Sequence, residues 1–195
     1  MASTPTYRGK RELTRRLAPE LASDPTRDRL AIERLYVRFP ALARFLIRCI
    51  VAMPPSGLRR AILRYGYARG YASSSRGDWE YQRTYVHPDV EVDISGARDW
   101  GLDPDRDYRG FDGYVASITP ILEAWAPAKF EIREVLDVAH DSIVVVFRMH
   151  ARGVGEGIRL SSDFAHAISY RDGWVVRMAF FSDAAEALAS VAPAE

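Results

Sequence analysis

Cysteine is nearly absent from this chain, and no long apolar run is present. Cys49 is the only cysteine among 195 residues, which excludes a disulfide within the chain. No CxxC or Cys/His cluster has the spacing of a zinc site, so we predict neither a metal nor a cofactor. No segment reaches the roughly 18 uncharged apolar residues of a spanning helix, and the first residues lack the apolar core of a signal peptide. These absences predict a cytoplasmic protein.

Overall charge is also nearly absent. The chain has 27 basic and 26 acidic side chains, a net charge of +1, so we predict no nucleic-acid partner. Lysine is scarce too, because only Lys10 and Lys129 are lysines, and this arginine bias is typical of GC-rich bacterial genomes. Hydrophobic residues make up 48% of the sequence, which is enough for one buried core.

Residues 1–57 are predicted to be an extension ahead of one main domain at 58–195. The first 28 residues are polar and proline-containing, and two helices follow at Leu30–Phe39 and Ala41–Met53, separated at Pro40. The second helix has apolar residues at helical spacing, including Leu42, Phe45, Leu46 and Cys49. We expect this face to pack on protein rather than on a membrane.

The remaining elements follow an α+β order. A helix from Leu58 to Ser74 and a short helix at Trp79 precede a strand at Val90–Ile94. Another helix at Gly110–Trp125 precedes four strand-like segments, which are Lys129–Ala139, Ser142–Arg152, Gly157–Tyr170 and Trp174–Phe181. Short turns between these segments predict an antiparallel meander.

Several short motifs occur in a characteristic order along this chain. They are Arg76-Gly77-Asp78, His87-Pro88-Asp89-Val90, Tyr108-Arg109-Gly110-Phe111-Asp112-Gly113 and Tyr170-Arg171-Asp172-Gly173-Trp174. In this order the chain resembles the SnoaL-like polyketide cyclase branch of the nuclear transport factor two-like superfamily. The resemblance implies a cone, in which a curved sheet wraps round helices and encloses a pocket for a small, mostly apolar molecule. It also implies a homodimer formed through the outer face of the sheet.

Two residues on one strand compete for the inward position in such a cone. His166 falls close to where ketosteroid isomerase, a member of the superfamily, keeps the acid of its oxyanion hole, and it shares a face with Ser162 and Phe164. Asp163 has the opposite parity, so only one of the two points inward unless a bulge intervenes. We favour His166, which could donate a hydrogen bond to a carbonyl oxygen. A histidine that is only a packed part of the sheet is the alternative.

The neighbouring strand offers a second group. Arg148 and His150 fall where limonene epoxide hydrolase carries an Arg and an Asp, and we predict that both face the pocket. The second carboxylate of that enzyme would fall near Ala179, so epoxide opening is not expected. On the outer face we expect Ile143, Val145 and Phe147, whose exposure would favour a dimer.

Helix residues complete the predicted site. Tyr67 and Tyr71 lie on one side of a helix, close to the tyrosine position of ketosteroid isomerase. The base of that enzyme would fall near Asp93 or Ile94, and if Ile94 faces inward the base is missing. The predicted catalytic residues are His166, His150, Tyr71 and Asp163, and the predicted substrate-binding residues are Tyr67, Arg148, Phe164, Trp125, Ser162 and Asp93.

The resemblance implies cofactor-free acid/base chemistry, such as cyclisation, isomerisation or dehydration, on an apolar carbonyl-bearing substrate. The alternatives are a non-catalytic ligand-binding protein with the same cone and a dimerising interaction module.

Overall fold

The computed structural model describes residues 28–96, 108–125, 128–139, 141–154 and 157–191. Four helices come first: α1 (Ala31–Arg38), α2 (Pro40–Ala52), α3 (Gly57–Ser75) and α4 (Trp79–Gln82). Ser56 caps α3 by accepting a hydrogen bond from the Arg59 N–H, and Asp78 caps α4 in the same way from Tyr81. The predicted order of helices is confirmed for this part of the chain. The predicted polar tail, the centre of the loop after Ser95, and His140 lie outside the described residues.

One five-stranded sheet forms the rest of the body with two more helices. Its elements are β1 (Val86–Gly96), α5 (Gly110–Ala124), β2 (Lys129–Ala139), β3 (Ser142–Arg152), β4 (Arg159–Arg171), β5 (Trp174–Phe181) and α6 (Ala184–Val191). The strand order is β1-β5-β4-β3-β2, with β1 parallel to β5 and the other pairs antiparallel. The curved, unclosed sheet and its helices confirm the predicted α+β cone.

Strand β1 begins earlier than the sequence indicates, because it includes His87, Pro88 and Asp89. Proline lacks the N–H that a central strand needs, yet β1 is an edge strand whose one partner strand in the described sheet is β5. The pairing register also shifts between Val86 and Glu91, so the proline falls at an irregular part of the ladder.

Two apolar layers lie on opposite faces of the sheet. The inner face packs against α3 and α5, and its core includes Ile143, Val145 and Phe147. The outer face packs against α6, where Ala187 meets a smaller cluster that includes Val144 and Phe181. The sequence analysis did not predict α6.

The predicted orientation of β3 is therefore wrong. Ile143, Val145 and Phe147 are buried in the inner core instead of exposed on the outer face. Arg148 and His150 lie on the outer face instead. The apolar surface that motivated the homodimer does not exist, and the homodimer itself stays a prediction.

Packing of the predicted face of α2 on the body of the domain is also wrong, whereas packing of this face on a partner subunit stays a prediction. Leu42, Phe45 and Cys49 are exposed, with Phe45 at 61% of its full accessibility. The face that packs on the body holds Ala43 and Val51, which are buried, together with the partly buried Ile47 and Ile50. Apolar residues occur on both sides of this helix, so helical spacing alone did not identify the buried side.

Buried ion pairs attach α1 to the body. Glu33 is fully buried in α1 and accepts hydrogen bonds from Arg69 at 2.9 Å and Arg76 at 3.2 Å. Just ahead of α1, Arg29 makes a two-pronged contact with the buried Asp78, at 2.7 and 2.5 Å. A charge in the protein interior is tolerated only with such partners, so these pairs specify how α1 docks.

Helix α2 is attached at both of its ends. The guanidinium of Arg44 lies 4.3 Å from the ring centroid of Trp174, close to the turn between β4 and β5. Gly173 in that turn has φ +81°, and any Cβ there would overlap the carbonyl oxygen of Arg44. At the other end the buried Arg59 donates to the carbonyl oxygens of Ile50 and Val51. Arg59 also forms an ion pair with Asp137 on β2.

Candidate functional site

A cavity of about 150 Å³ lies between the N-terminal helices and the inner side of the sheet. Helices α1 and α2, which belong to the predicted extension, form part of its wall through Ile32, Tyr36, Ile47 and Ile50. Tyrosine dominates the lining, since eight of the ten tyrosines contribute. They are Tyr36, Tyr65, Tyr67, Tyr71, Tyr81, Tyr85, Tyr114 and Tyr170.

Gln82 on α4 holds several of these tyrosines in place. Its side-chain carbonyl accepts hydrogen bonds from the hydroxyls of Tyr85, at 2.5 Å, and Tyr114, at 3.2 Å. Its amide nitrogen donates to the Gly70 carbonyl at 2.7 Å, and also to the Ser73 and Ser74 hydroxyls. Since Gln82 is almost fully buried and bonded at both ends, the tyrosine wall is preorganised.

Tyr71 connects the cavity to a buried histidine. Its ring lines the cavity, and its hydroxyl lies 2.7 Å from Nδ1 of His166 on β4. Phe147 and Phe180 flank the imidazole, with the Phe180 ring stacked at 4.4 Å between centroids. The other ring nitrogen, Nε2, is buried and has no hydrogen-bond partner among the described residues.

Burial sets the protonation state of this pair. It lowers the pKa of His166 to about 3, so the imidazole is neutral at physiological pH. It also raises the pKa of Tyr71 well above its usual value, so the phenol keeps its proton. One hydrogen therefore lies between Tyr71 and Nδ1, and it comes from the phenol in one tautomer of His166 and from the imidazole in the other.

Burial also raises the pKa of Tyr67 and of Tyr85 well above the usual value, so these phenols are neutral. The hydroxyls of Tyr67 and Tyr170 share a short hydrogen bond across the cavity wall. Burial raises the pKa of Tyr114 and of Tyr170 to about 12. The cavity therefore offers neutral hydroxyl groups on an otherwise apolar lining.

The structure brings together three of the predicted site residues. His166 points to the inner side of the sheet, as predicted, and Tyr71 contacts it directly. Tyr67 lines the cavity beside Tyr71. Phe164 lies on the same face of β4 and packs on Phe147, although it does not line the cavity. The prediction that the His166 ring lines the pocket is wrong, because His166 is not among the lining residues and instead contacts the lining residue Tyr71.

The charged residues predicted for the site lie elsewhere. Asp163 and Arg148 face away from the cavity and form a two-pronged ion pair, at 2.8 and 2.6 Å, on the outer face of the sheet. His150 is exposed beside Glu131 and Ser161. Cross-strand register explains the placement, because residues directly opposite in an antiparallel pair share one face. Phe147 faces Phe164 across β3 and β4, so the alternate residues of β3 point outward.

The other predicted binding residues do not line the cavity either. Ser162 is half-buried on β4, and Trp125 packs on the core beyond the end of α5. Asp93 pairs with Arg177 at 2.9 Å, whereas its neighbour Ile94 is buried in the inner core. The resemblance placed the base of ketosteroid isomerase near Asp93 or Ile94. Because Ile94 is the one that points inward, no carboxylate occupies that position in this chain.

Two features of the site were missed from the sequence. Five of the ten tyrosines occur between positions 65 and 85, and this clustering was an available signal. The contribution of α1 and α2 gave no such signal, because it depends on how the extension docks.

No helix in the described part of the chain is long and apolar enough to cross a membrane.

Several solved structures are similar to this chain. No curated protein matches the chain. Among solved structures, TerC co-crystallised with polyporic acid is 23% identical, covers 58% of this chain and 88% of its own, and has a TM-score of 0.47. A putative SnoaL-like polyketide cyclase from Jannaschia sp. CCS1 is 15% identical, with 60% and 80% coverage and a TM-score of 0.46. RV0760c from Mycobacterium tuberculosis, in complex with estradiol-17beta-hemisuccinate, is 16% identical, with 60% and 95% coverage and a TM-score of 0.46.

The profile of the SnoaL-like domain family matches residues 67–178, which include α4, α5, all of β1 to β4, the second half of α3 and most of β5. Because this match spans more than half of the sequence, the chain belongs to the SnoaL-like domain family.

Proposed function

We propose that this protein binds a small, mostly apolar molecule that carries a hydrogen-bonding oxygen. The observation that supports this most directly is the tyrosine-lined cavity, in which Tyr71 is backed by the buried His166. Apolar walls with a few convergent polar groups are typical of small-molecule sites. Ligand binding is the main proposal, and acid/base catalysis on the bound ligand is a second candidate.

Cavity size indicates the scale of the ligand. An apolar cavity of about 150 Å³ in another protein is known to admit benzene. The cavity here has a similar volume, so one ring with a small substituent fits without rearrangement. A ligand with several fused rings would require α1 and α2 to move outward.

The polar lining indicates which functional group the ligand carries. Neutral phenols donate hydrogen bonds to a carbonyl or hydroxyl oxygen, and in a site without water such a bond is not weakened by competition. The described lining includes no carboxylate, and Arg69 is already paired with Glu33. An uncharged ligand is therefore favoured over a cationic or an anionic one.

Acid/base catalysis is the second candidate, and the unpartnered Nε2 of His166 favours it. Buried polar atoms without partners are rare, and each requires an explanation. With its proton on Nδ1, the neutral imidazole donates to the Tyr71 oxygen, so the Tyr71 hydroxyl can donate to a carbonyl oxygen in the cavity as negative charge develops there. It is a poor base, because burial lowers its pKa to about 3. The pair therefore suits polarisation of the substrate carbonyl in a cyclisation, isomerisation or dehydration, and it does not suit removal of a proton.

A matched pair of probes tests binding. Acetophenone and ethylbenzene have similar size and shape, but only the ketone accepts a hydrogen bond. By isothermal titration calorimetry we expect acetophenone to bind about fivefold more tightly, which corresponds to one net hydrogen bond. Tyr71→Phe should remove that preference, whereas Tyr108→Phe, which alters a buried phenol outside the lining, should retain it. Equal affinities, or no binding of either probe, would contradict the proposal.

Proton exchange tests for chemistry. If the site polarises a bound ketone, the methyl hydrogens of acetophenone should exchange with deuterium oxide faster than in buffer, as measured by NMR. Loss of this acceleration in His166→Asn would support the acid/base candidate. Tight binding with no acceleration would favour the non-catalytic function.

A further inference from the structure

The outward side of α2 is apolar and uncovered. Phe39, Leu42, Phe45 and Cys49, together referred to as the apolar patch, are all exposed, and Ala41 and Ala52 extend it. Apart from Pro40 at its first position, the exposed positions of α2 fall within an arc of about 120° at 3.6 residues per turn. Arg48 lies at one edge of this arc and is the only charged residue among these exposed positions. Contiguous apolar surface of this kind normally marks an interaction site.

The sequence on both sides of the apolar patch carries charge of one sign, although in the structure the exposed Asp172 lies 3.9 Å from Arg48. Between Arg34 and Arg76 the sequence contains nine arginines and no aspartate or glutamate. Arg59, Arg69 and Arg76 pair with carboxylates in the interior or beneath the surface. The exposed members are Arg34, Arg38, Arg48, Arg60 and Arg64.

The small net charge of the whole protein conceals this asymmetry. Residues 1–77 carry sixteen basic and five acidic side chains, a surplus of eleven positive charges. Residues 78–195 carry eleven basic and 21 acidic side chains, a surplus of ten negative charges. The overall charge of +1 therefore results from two oppositely charged parts, and it does not exclude electrostatic recruitment by the first part.

We propose that the apolar patch, with Arg38 and Arg48 beside it, docks on the surface of a membrane that contains anionic lipid. Exposed Phe and Leu side chains partition into the boundary between headgroups and acyl chains, and arginines beside them attract anionic headgroups. A nucleic acid would satisfy the arginines but would leave the aliphatic part of the patch, including Leu42 and Cys49, without a suitable partner.

The fold presents the apolar patch on a fixed support. Arg44 and Gly173 hold α2 against the turn between β4 and β5, and Arg59 holds its C-terminal end. The opposite side of the same helix lines the cavity through Ile47 and Ile50. A membrane contact at the apolar patch would therefore lie one helix diameter, about 10 Å, from the proposed ligand site.

Vesicle sedimentation with the full-length chain tests the proposal. We expect the protein to sediment with phosphatidylcholine vesicles that contain about one-third phosphatidylglycerol, and much less with vesicles of phosphatidylcholine alone. Raising the salt from about 0.1 M to about 1 M should weaken binding, because it screens the arginines.

Surface variants test whether vesicle binding depends on the apolar patch or on exposed apolar residues in general. The double variant Leu42→Ser with Phe45→Ser should lower the vesicle partition coefficient at least tenfold. The control is Val154→Ser with Ile158→Ser, which removes two similarly exposed apolar residues from the loop between β3 and β4 and should leave partition unchanged. Equal binding to neutral and anionic vesicles, or equal loss in both double variants, would overturn the proposal. So would a dimer that dissociates in the first variant, because the patch would then be an interface between two copies of this chain.

Discussion

Acidification should destabilise this protein through His166, and the size of the effect follows from its burial. The imidazole is 6% exposed, and burial alone lowers its pKa from 6.5 to about 3. The unfolded chain therefore binds a proton at His166 between these pH values, whereas the folded chain does not. The free energy of unfolding should fall as the pH falls from 6.5 toward 3.

The expected magnitude is considerable. One pKa unit corresponds to 1.36 kcal/mol, and the folded state remains neutral at His166 throughout the accessible range. Between pH 7 and pH 5 this single group should remove about 2 kcal/mol of stability. That is a large share of the roughly 5–15 kcal/mol that is typical of whole domains.

Urea unfolding, followed by tryptophan fluorescence at pH 7, 6 and 5, measures the effect. Other groups also titrate in this range, so the informative quantity is the difference between the parent and His166→Asn. Asparagine does not titrate, and its amide can still bond to the Tyr71 hydroxyl. Tyr71→Phe is a second control, which removes the hydrogen bond but leaves the imidazole buried.

Parent and Tyr71→Phe should lose stability in parallel, and His166→Asn should lose about 2 kcal/mol less. If all three proteins have the same pH dependence, His166 is not a buried neutral imidazole. If only Tyr71→Phe loses the dependence, the hydrogen bond rather than burial controls the protonation of His166.

Three further predictions concern the attachment of the N-terminal helices. Gly173→Ala should cost about 2 kcal/mol or more in urea unfolding, because a Cβ at positive φ would also overlap Arg44; a neutral result would show that the turn relaxes. Glu33→Ala should cost about 3 kcal/mol, because it leaves two arginines without their buried partner, whereas the exposed control Glu80→Ala should cost less than about 1 kcal/mol. Deleting residues 1–57 should lower the melting temperature, and an unchanged value would mean that the helices contribute no net stability.

Local patterns were sufficient for most of the fold. The turn at Asp172-Gly173, the helix boundary at Pro40 and the apolar periods of the helices and strands depend on neighbouring residues only. The order of helices and strands from α1 to β5 followed from these signals and is confirmed for the described residues, whereas α6 was not predicted. The inward direction of His166 was also predicted correctly, since it follows from parity counted from a nearby turn.

The sequence could not determine which face of β3 or α2 is buried. Both elements carry apolar residues on both sides, because α6 covers the outside of the sheet and α2 has an uncovered face. Pairing between β3 and β4 decided the first case by placing Phe147 opposite Phe164. Docking of the extension determined which face of α2 is buried, and it also added Tyr36 and Ile47 to the cavity lining. The sequence by itself determined the elements and their order because these depend on short-range interactions, whereas the cavity was decided by contacts between segments far apart in the chain.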